Sequence, residues 1–128
     1  MSSERSEQGL RIRRKVLGDE YVDKALKETD DFSRPLQELI IEYGWGVVWT
    51  RPGLTLRERS LVNVAALTAL GRYNELKSHL RGARINGCTK EEIREVLLQM
   101  AVYAGVPAAS EGFGIAREVF QDADGKPL

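Results

Sequence analysis

The chain is 128 residues long, enough for one domain with a modest core, and its nineteen Lys and Arg balance nineteen Asp and Glu. A net charge of zero provides no global field to draw in nucleic acid or an anionic membrane, so any anion must be attracted locally. The single cysteine, Cys88, excludes an internal disulfide, a CxxC redox pair and a cysteine-based zinc site.

The N-terminus is polar, without the apolar core of a signal peptide, and no run approaches the ~20 apolar residues of a membrane span. These features predict a cytoplasmic protein that binds neither nucleic acid nor membrane. Residues 1–7 and 123–128 read as loose ends, with Gly125 and Pro127 closing the chain. Leu10, Ile12, Val16 and Leu17 recur at partly helical spacing as far as Gly18. The basic cluster Arg11, Arg13, Arg14 and Lys15 among them reads as a solvated helix face. Asp19 can cap a second helix over 20–28, with Tyr21, Val22, Ala25 and Leu26 turned inward.

Ser33 and Pro35 mark a third helix start, since proline is pre-set for the first turn. Leu36, Leu39, Ile40, Tyr43 and Val47 continue the pattern. Gly44 and Gly46 interrupt it, each at about 1 kcal/mol relative to alanine, which predicts a close backbone approach there. Trp45 and Trp49, four apart, stack along one side, either as core or subunit contact or as a ligand wall. Thr50-Arg51-Pro52-Gly53 must end this helix.

Thr55 and Glu58 have the spacing of a capping box, which competes with an acid–base role for Glu58. The run 60–70 is apolar nearly all round, relieved only by Asn63 and Thr68, so it reads as a central helix enclosed by its own domain or by a neighbouring subunit. Asn74 and Gly87 bracket a helix over 75–86 that carries the only histidine, His79. Glu75 lies one turn before His79, where a carboxylate can orient the ring and raise its pKa, and Arg72 lies near the same line. Acid, imidazole and guanidinium are suited to a small anionic substrate, although a hydrogen-bonded structural histidine has the same spacing. Thr89 and Glu92 open an amphipathic helix through Ala104 whose buried side includes Ile93, Leu97, Met100 and Tyr103. Cys88, with neither a base nor a second cysteine adjacent, reads as a small buried thiol. A last helix spans 108–122. No strand-like alternation persists, so the class is all-α, with six or seven helices.

Several motifs in order carry a resemblance: Trp45-Gly-Val-Val-Trp-Thr-Arg-Pro-Gly-Leu54, Arg57-Glu-Arg-Ser-Leu-Val, Ala69-Leu-Gly-Arg, Glu75-Leu-Lys-Ser-His79, Asn86-Gly-Cys-Thr-Lys-Glu-Glu-Ile93 and Tyr103-Ala-Gly-Val-Pro-Ala-Ala109. Together they resemble the carboxymuconolactone decarboxylase family over about residues 30–120, which would form the core of a single domain. The wider superfamily includes the alkyl hydroperoxidase D proteins, whose CxxC precedes a histidine matching His79. Arg72 and Glu75 occupy those cysteine places here, which removes that peroxidase route.

The resemblance implies an alkyl hydroperoxidase D-like helical subunit assembled as a homo-oligomer, a trimer or hexamer. It implies cofactor-free and metal-free decarboxylation of 4-carboxymuconolactone to the enol-lactone of 3-oxoadipate in protocatechuate breakdown. His79 is then the catalytic candidate with Glu58 and Glu75, while Arg51, Arg72, Trp45 and Trp49 are candidates to bind the small anionic lactone. Ser110-Glu111-Gly112, with Gly114, departs from the family pattern and keeps open a related lyase acting on another small oxo-acid or lactone. A redox-associated or non-catalytic oligomer on the same scaffold is the third reading.

Overall fold

The structure, a computed structural model, describes residues 3–124. Among the described residues there are seven α-helices and one π-helical segment, with no strand, so the chain is all-α. None of these helices is long and apolar enough to cross a membrane. The chain divides into two compact units, one ending at Leu56 and one beginning at Arg57.

In the first unit, α1 spans Glu4–Leu17, and the Ser3 hydroxyl accepts the Ser6 amide at 3.0 Å. This cap carries the helix back into the stretch expected to be loose: Glu4 and Glu7 meet its positive end, Arg14 and Lys15 its negative end. Gly18, at φ +91°, turns the chain into α2, Asp19–Lys27. Asp19 is therefore inside α2 rather than its cap, and it accepts from Arg14 at 3.1 Å, while Asp23 holds the same guanidinium at 2.8 Å. Of the residues expected on the inner side of α2, Val22 is fully buried and Tyr21 is exposed.

The solvated-face reading of the basic cluster fails at Arg13. Its side chain is buried, donates to Gln37 Oε1 at 3.1 Å, and has its pKa pushed down by desolvation. Helix α3, Arg34–Leu39, starts where Ser33 and Pro35 predict, and the Asp30 carboxylate accepts both the Ser33 amide and hydroxyl. The winding then widens into the π segment, Ile40–Val48, and the Trp49 amide reaches back five residues to the Gly44 carbonyl at 3.1 Å. Gly46 meets the α1 backbone as a close-approach glycine should, since a Cβ there would lie 2.6 Å from the Arg5 carbonyl oxygen. Gly44 does not, because a Cβ there would meet nothing within 4 Å. Val16, Leu17, Val22, Trp45 and Trp49 form the core of this unit.

The second unit is built on α4 (Leu56–Leu70), α5 (Tyr73–Ile85), α6 (Lys90–Tyr103) and α7 (Val106–Asp124). Helix α4 begins at the residue after Thr55, and the single chain does not enclose it all round, so of the two covers its composition predicts, its own domain or a neighbouring subunit, the first is not complete. Ser60, Val64 and Thr68 form one buried stripe, while Val62 and Leu70 are exposed. The buried Thr68 hydroxyl is satisfied by the Val64 carbonyl at 2.7 Å. Gly71, at φ +70°, turns the chain into α5, whose N-cap is Arg72. Asn74, expected as that cap, lies in the first turn, and its carbonyl accepts the Ser78 hydroxyl at 3.3 Å. Gly87 takes the left-handed conformation just past the α5 C-cap, as its position predicts.

The Thr89–Glu92 capping box at the start of α6 is complete: the Thr89 hydroxyl accepts the Glu92 amide at 3.0 Å and Glu92 Oε1 accepts the Thr89 amide at 2.8 Å. Tyr103 does not join the buried side, being 80% exposed at the last turn of α6. Helix α7 starts at Val106, earlier than expected, with Pro107 in its first turn, and runs through the expected loose positions 123 and 124. Gly125 and Pro127 lie outside the described residues. Leu76, Leu80, Ile93, Leu97, Val119 and Phe120 fill the core between α5, α6 and α7, and Cys88 joins them from the α5–α6 turn.

Candidate active site

Helices α4 and α5 form a hairpin that carries four of the seven candidate residues. His79 is half-buried in the middle of α5, and its Nδ1 lies 3.4 Å from Nδ2 of Asn63 on α4. Glu75 is one turn earlier on α5 and exposed, Arg72 is exposed at the N-cap, and Glu58 projects from the first turn of α4, also exposed.

The first turn of α4 is tied to the α5–α6 turn by a polar cluster. Arg57 forms an ion pair with Glu92 Oε2, the other oxygen of that carboxylate being used in the capping box. The Arg57 carbonyl accepts the Cys88 thiol at 3.5 Å, and Arg84 donates to the Cys88 carbonyl at 3.0 Å. Asn86 donates to the Gly82 carbonyl at 2.7 Å and reaches the Ser60 hydroxyl at 3.5 Å. Glu58 therefore stands on a helix end held by side-chain bonds on both sides of the turn. Burial raises the Cys88 pKa, against a smaller opposing effect of Arg57 and Arg84. The thiol stays protonated at neutral pH, which fits the structural reading of this cysteine.

The other three candidates lie in the first unit. Trp45 and Trp49 stack with ring centroids 4.6 Å apart at 25° between planes. At 5% and 9% exposure they belong to the core of that unit, the first of the alternatives their spacing allows. Arg51 follows them, exposed, with its amide bonded to the Val48 carbonyl. Among the described residues, clefts inside single units include one of about 380 Å³ between α1, α2 and α3, one of about 460 Å³ between α1 and the π segment, and one of about 190 Å³ between α6 and α7, and none of the seven candidates lines any of these three.

The residue that sequence reasoning passed over is Asn63. Its signal was a lone amide in a largely apolar helix, five residues before Thr68, the next polar side chain of that run. The Ser110–Gly112 departure has a packing cause at one position. A Cβ on Gly112 would lie 2.8 Å from Leu97 Cδ2 and 3.4 Å from Thr68 Cγ2, so glycine here lets α7 close on its neighbours.

A model of the carboxymuconolactone decarboxylase family matches residues 34–118. The chain belongs to that family. It is 45% identical over 119 residues to a 4-carboxymuconolactone decarboxylase of Acinetobacter baylyi, covering 93% of this chain and 89% of the relative. It is 43% identical over 116 residues to a nitrosuccinic acid decarboxylase of Metarhizium robertsii, covering 91% and 81%. Both relatives are named as decarboxylases, and the candidate residues Arg51, Glu58, Arg72, Glu75 and His79 all fall inside the span that the family model matches.

Proposed function

We propose that the protein decarboxylates 4-carboxymuconolactone to the enol-lactone of 3-oxoadipate without a cofactor. The observation that carries this reading is 45% identity, along nearly the whole chain, to a decarboxylase named for that substrate. In the lactone, the departing carboxylate is on a ring carbon conjugated through a double bond to the lactone carbonyl. Breaking the carbon–carbon bond releases carbon dioxide and leaves the electron pair as a dienolate, with its charge largely on the lactone oxygen. A proton added at the carbon beside the carbonyl completes the product.

The chemistry asks three things of the protein. It must grip the surviving acetate arm, stabilise the oxygen charge and supply hydrogen at the reacting centre. Arg51 and Arg72 are the guanidinium candidates for the arm, since a planar fork matches two carboxylate oxygens. His79 is the N–H group of the site, with Glu58 and Glu75 as the carboxylates that tune or reload it. Such acid–base assistance is worth about 10²–10⁴ in rate.

Likeness to the nitrosuccinic acid decarboxylase favours a second substrate in the same chemical class. Loss of the carboxylate beside a nitro group leaves a nitronate, so here too the pair passes to a conjugated oxygen and an acetate arm remains. The reading is also of a homo-oligomer. Val62 and Leu70 on α4, and Val102 and Tyr103 on α6, are apolar side chains exposed in the single chain.

The deciding experiment follows the absorbance of 4-carboxymuconolactone with purified protein, alongside release of carbon dioxide from nitrosuccinate. Turnover of the lactone, lost in His79→Ala with the fold intact by circular dichroism, is the expected result. Parental activity in His79→Ala would remove the ring from the mechanism, and failure to turn over the lactone would transfer the reading to the second substrate.

A further inference from the structure

Helices α6 and α7 line their shared cleft with side chains at the same spacing. Lys90, Ile93, Arg94 and Leu97 recur at three and four on α6, and Phe113, Ala116, Arg117 and Phe120 do so on α7. The apolar members make the floor: Ile93, Leu97, Ala116 and Phe120 are buried and Phe113 is half-buried. Ala116 is the small side chain among them, and the cleft has about 190 Å³. A dry apolar cavity of about 150 Å³ holds one benzene ring, so this floor has room for a single ring and none for a lipid tail.

The rim has the opposite character. Lys90, Arg94 and Arg117 stand there against one carboxylate, Glu91, and the exposed Glu95 offsets Arg94 in part at 3.4 Å. The Lys90 ammonium lies 5.4 Å from the centre of the Phe120 ring and the Arg84 guanidinium 5.8 Å from it, which brings a fourth cation to that end. In a chain of zero net charge this is a local excess of positive charge around an apolar slot. We propose that the α6–α7 cleft binds a single-ring aromatic monocarboxylate, with the ring on the apolar floor and the carboxylate at the Lys90, Arg94 and Arg117 rim. Inorganic phosphate would meet the rim and leave the floor empty, while a cationic ring would fill the floor and meet like charge. None of the seven candidate residues lines the cleft, so the inference stands apart from the decarboxylase reading.

The test titrates benzoate into the full chain labelled with ¹³C at its methyl groups. Saturable binding with a dissociation constant of about 1 mM or below is expected. Nuclear Overhauser effects should connect the benzoate ring protons to the Ala116, Ile93 and Leu97 methyls. Benzylammonium, the same ring with the opposite charge, should bind at least about tenfold more weakly. Arg117→Glu, at an exposed position, should keep the fold and weaken benzoate roughly 3- to 10-fold. Ala116→Leu fills the cleft and should abolish these contacts; if the added bulk unfolds the protein, Arg117→Glu carries the test by itself. His79→Ala should bind benzoate as the parent does. Absence of contacts to the three methyls at about 10 mM benzoate would overturn the inference. So would equal affinity for benzylammonium, parental affinity in Arg117→Glu, or loss of binding in His79→Ala.

Discussion

Gly9 and Gly46 bring α1 and the π segment into backbone contact. A Cβ on Gly9 would lie 2.1 Å from the Ile41 carbonyl oxygen and 2.8 Å from the Gly46 amide nitrogen, and a Cβ on Gly46 would lie 2.6 Å from the Arg5 carbonyl oxygen. Both obstacles are main chain, so neither can rotate away. Gly9→Ala and Gly46→Ala should each destabilise by about 1–3 kcal/mol, the usual cost of overpacking, and lower the thermal midpoint by several degrees. Gly44→Ala is the control, because no atom lies within 4 Å of the added methyl, and its midpoint should be unchanged or raised. Equal losses at all three positions would mean that the close approach is not what glycine serves here.

The contrast between these glycines shows how far the sequence could be read. A helical pattern interrupted by Gly44 and Gly46 announces a close approach, but whether a glycine faces a neighbour depends on the local winding, and the π turn changes that phase. Periodicity located α3 to α6 because caps and turns act locally: Ser33 with Pro35, Thr89 with Glu92, and Gly87 all stand where their chemistry requires. The burial of Arg13 and the exposure of Tyr103 depend on which elements pack nearby, which spacing along one helix does not encode. The candidate site divides in the same way. His79 was legible as the only imidazole, whereas its Asn63 partner is sixteen residues away and becomes visible only once α4 and α5 fold into a hairpin.

Glu92 does two jobs with two oxygens, and substitution can separate them. Glu92→Gln keeps an acceptor for the Thr89 amide and loses the charge that faces Arg57, a pair with both side chains about a third exposed and thus worth at most about 1 kcal/mol. Glu92→Ala loses the box as well and should cost about 1–2 kcal/mol in urea unfolding. Identical losses in the two variants would assign the whole effect to the ion pair.

Cys88 gives stability a dependence on pH. Its folded pKa is raised by burial, so the folded state keeps the proton after the unfolded chain has begun to lose it. The contribution is whole below the unfolded thiol's pKa of about 8.5 and is lost as the pH rises through the folded value. Urea midpoints measured at pH 7 and above pH 9 should therefore fall further for the parent protein than for Cys88→Ala. A parallel fall in both would show that the thiol is not the titrating group. Alkylation of the native protein should also be slow until denaturant is added.

Kinetics can distinguish the roles of Glu58 and the two arginines. A capping box accepts glutamine and acid–base chemistry does not, so Glu58→Gln should keep its thermal midpoint and lose about 10²-fold or more in kcat if the carboxylate takes part in proton transfer. Arg51→Lys and Arg72→Lys keep the charge but lose the planar fork. The arginine that holds the acetate arm should raise KM with little change in kcat, as expected for uniform binding lost. If both variants keep the parental KM, the anchor lies elsewhere.

Association should follow the exposed apolar side chains. Val102 and Tyr103, 78% and 80% exposed, extend the outer side of α6 near its end, and Val62 and Leu70 remain open on α4. If copies of the chain cover these positions, Val102→Asp or Val62→Asp would place a carboxylate in a desolvated contact, and light scattering should show the assembly shifting to smaller species. Since neither residue is buried in the single chain, the helical signal of the dissociated subunit should persist. A parent protein that is monomeric at micromolar concentration would end the oligomer reading. Assemblies of unchanged mass in both variants would place the contact on another face.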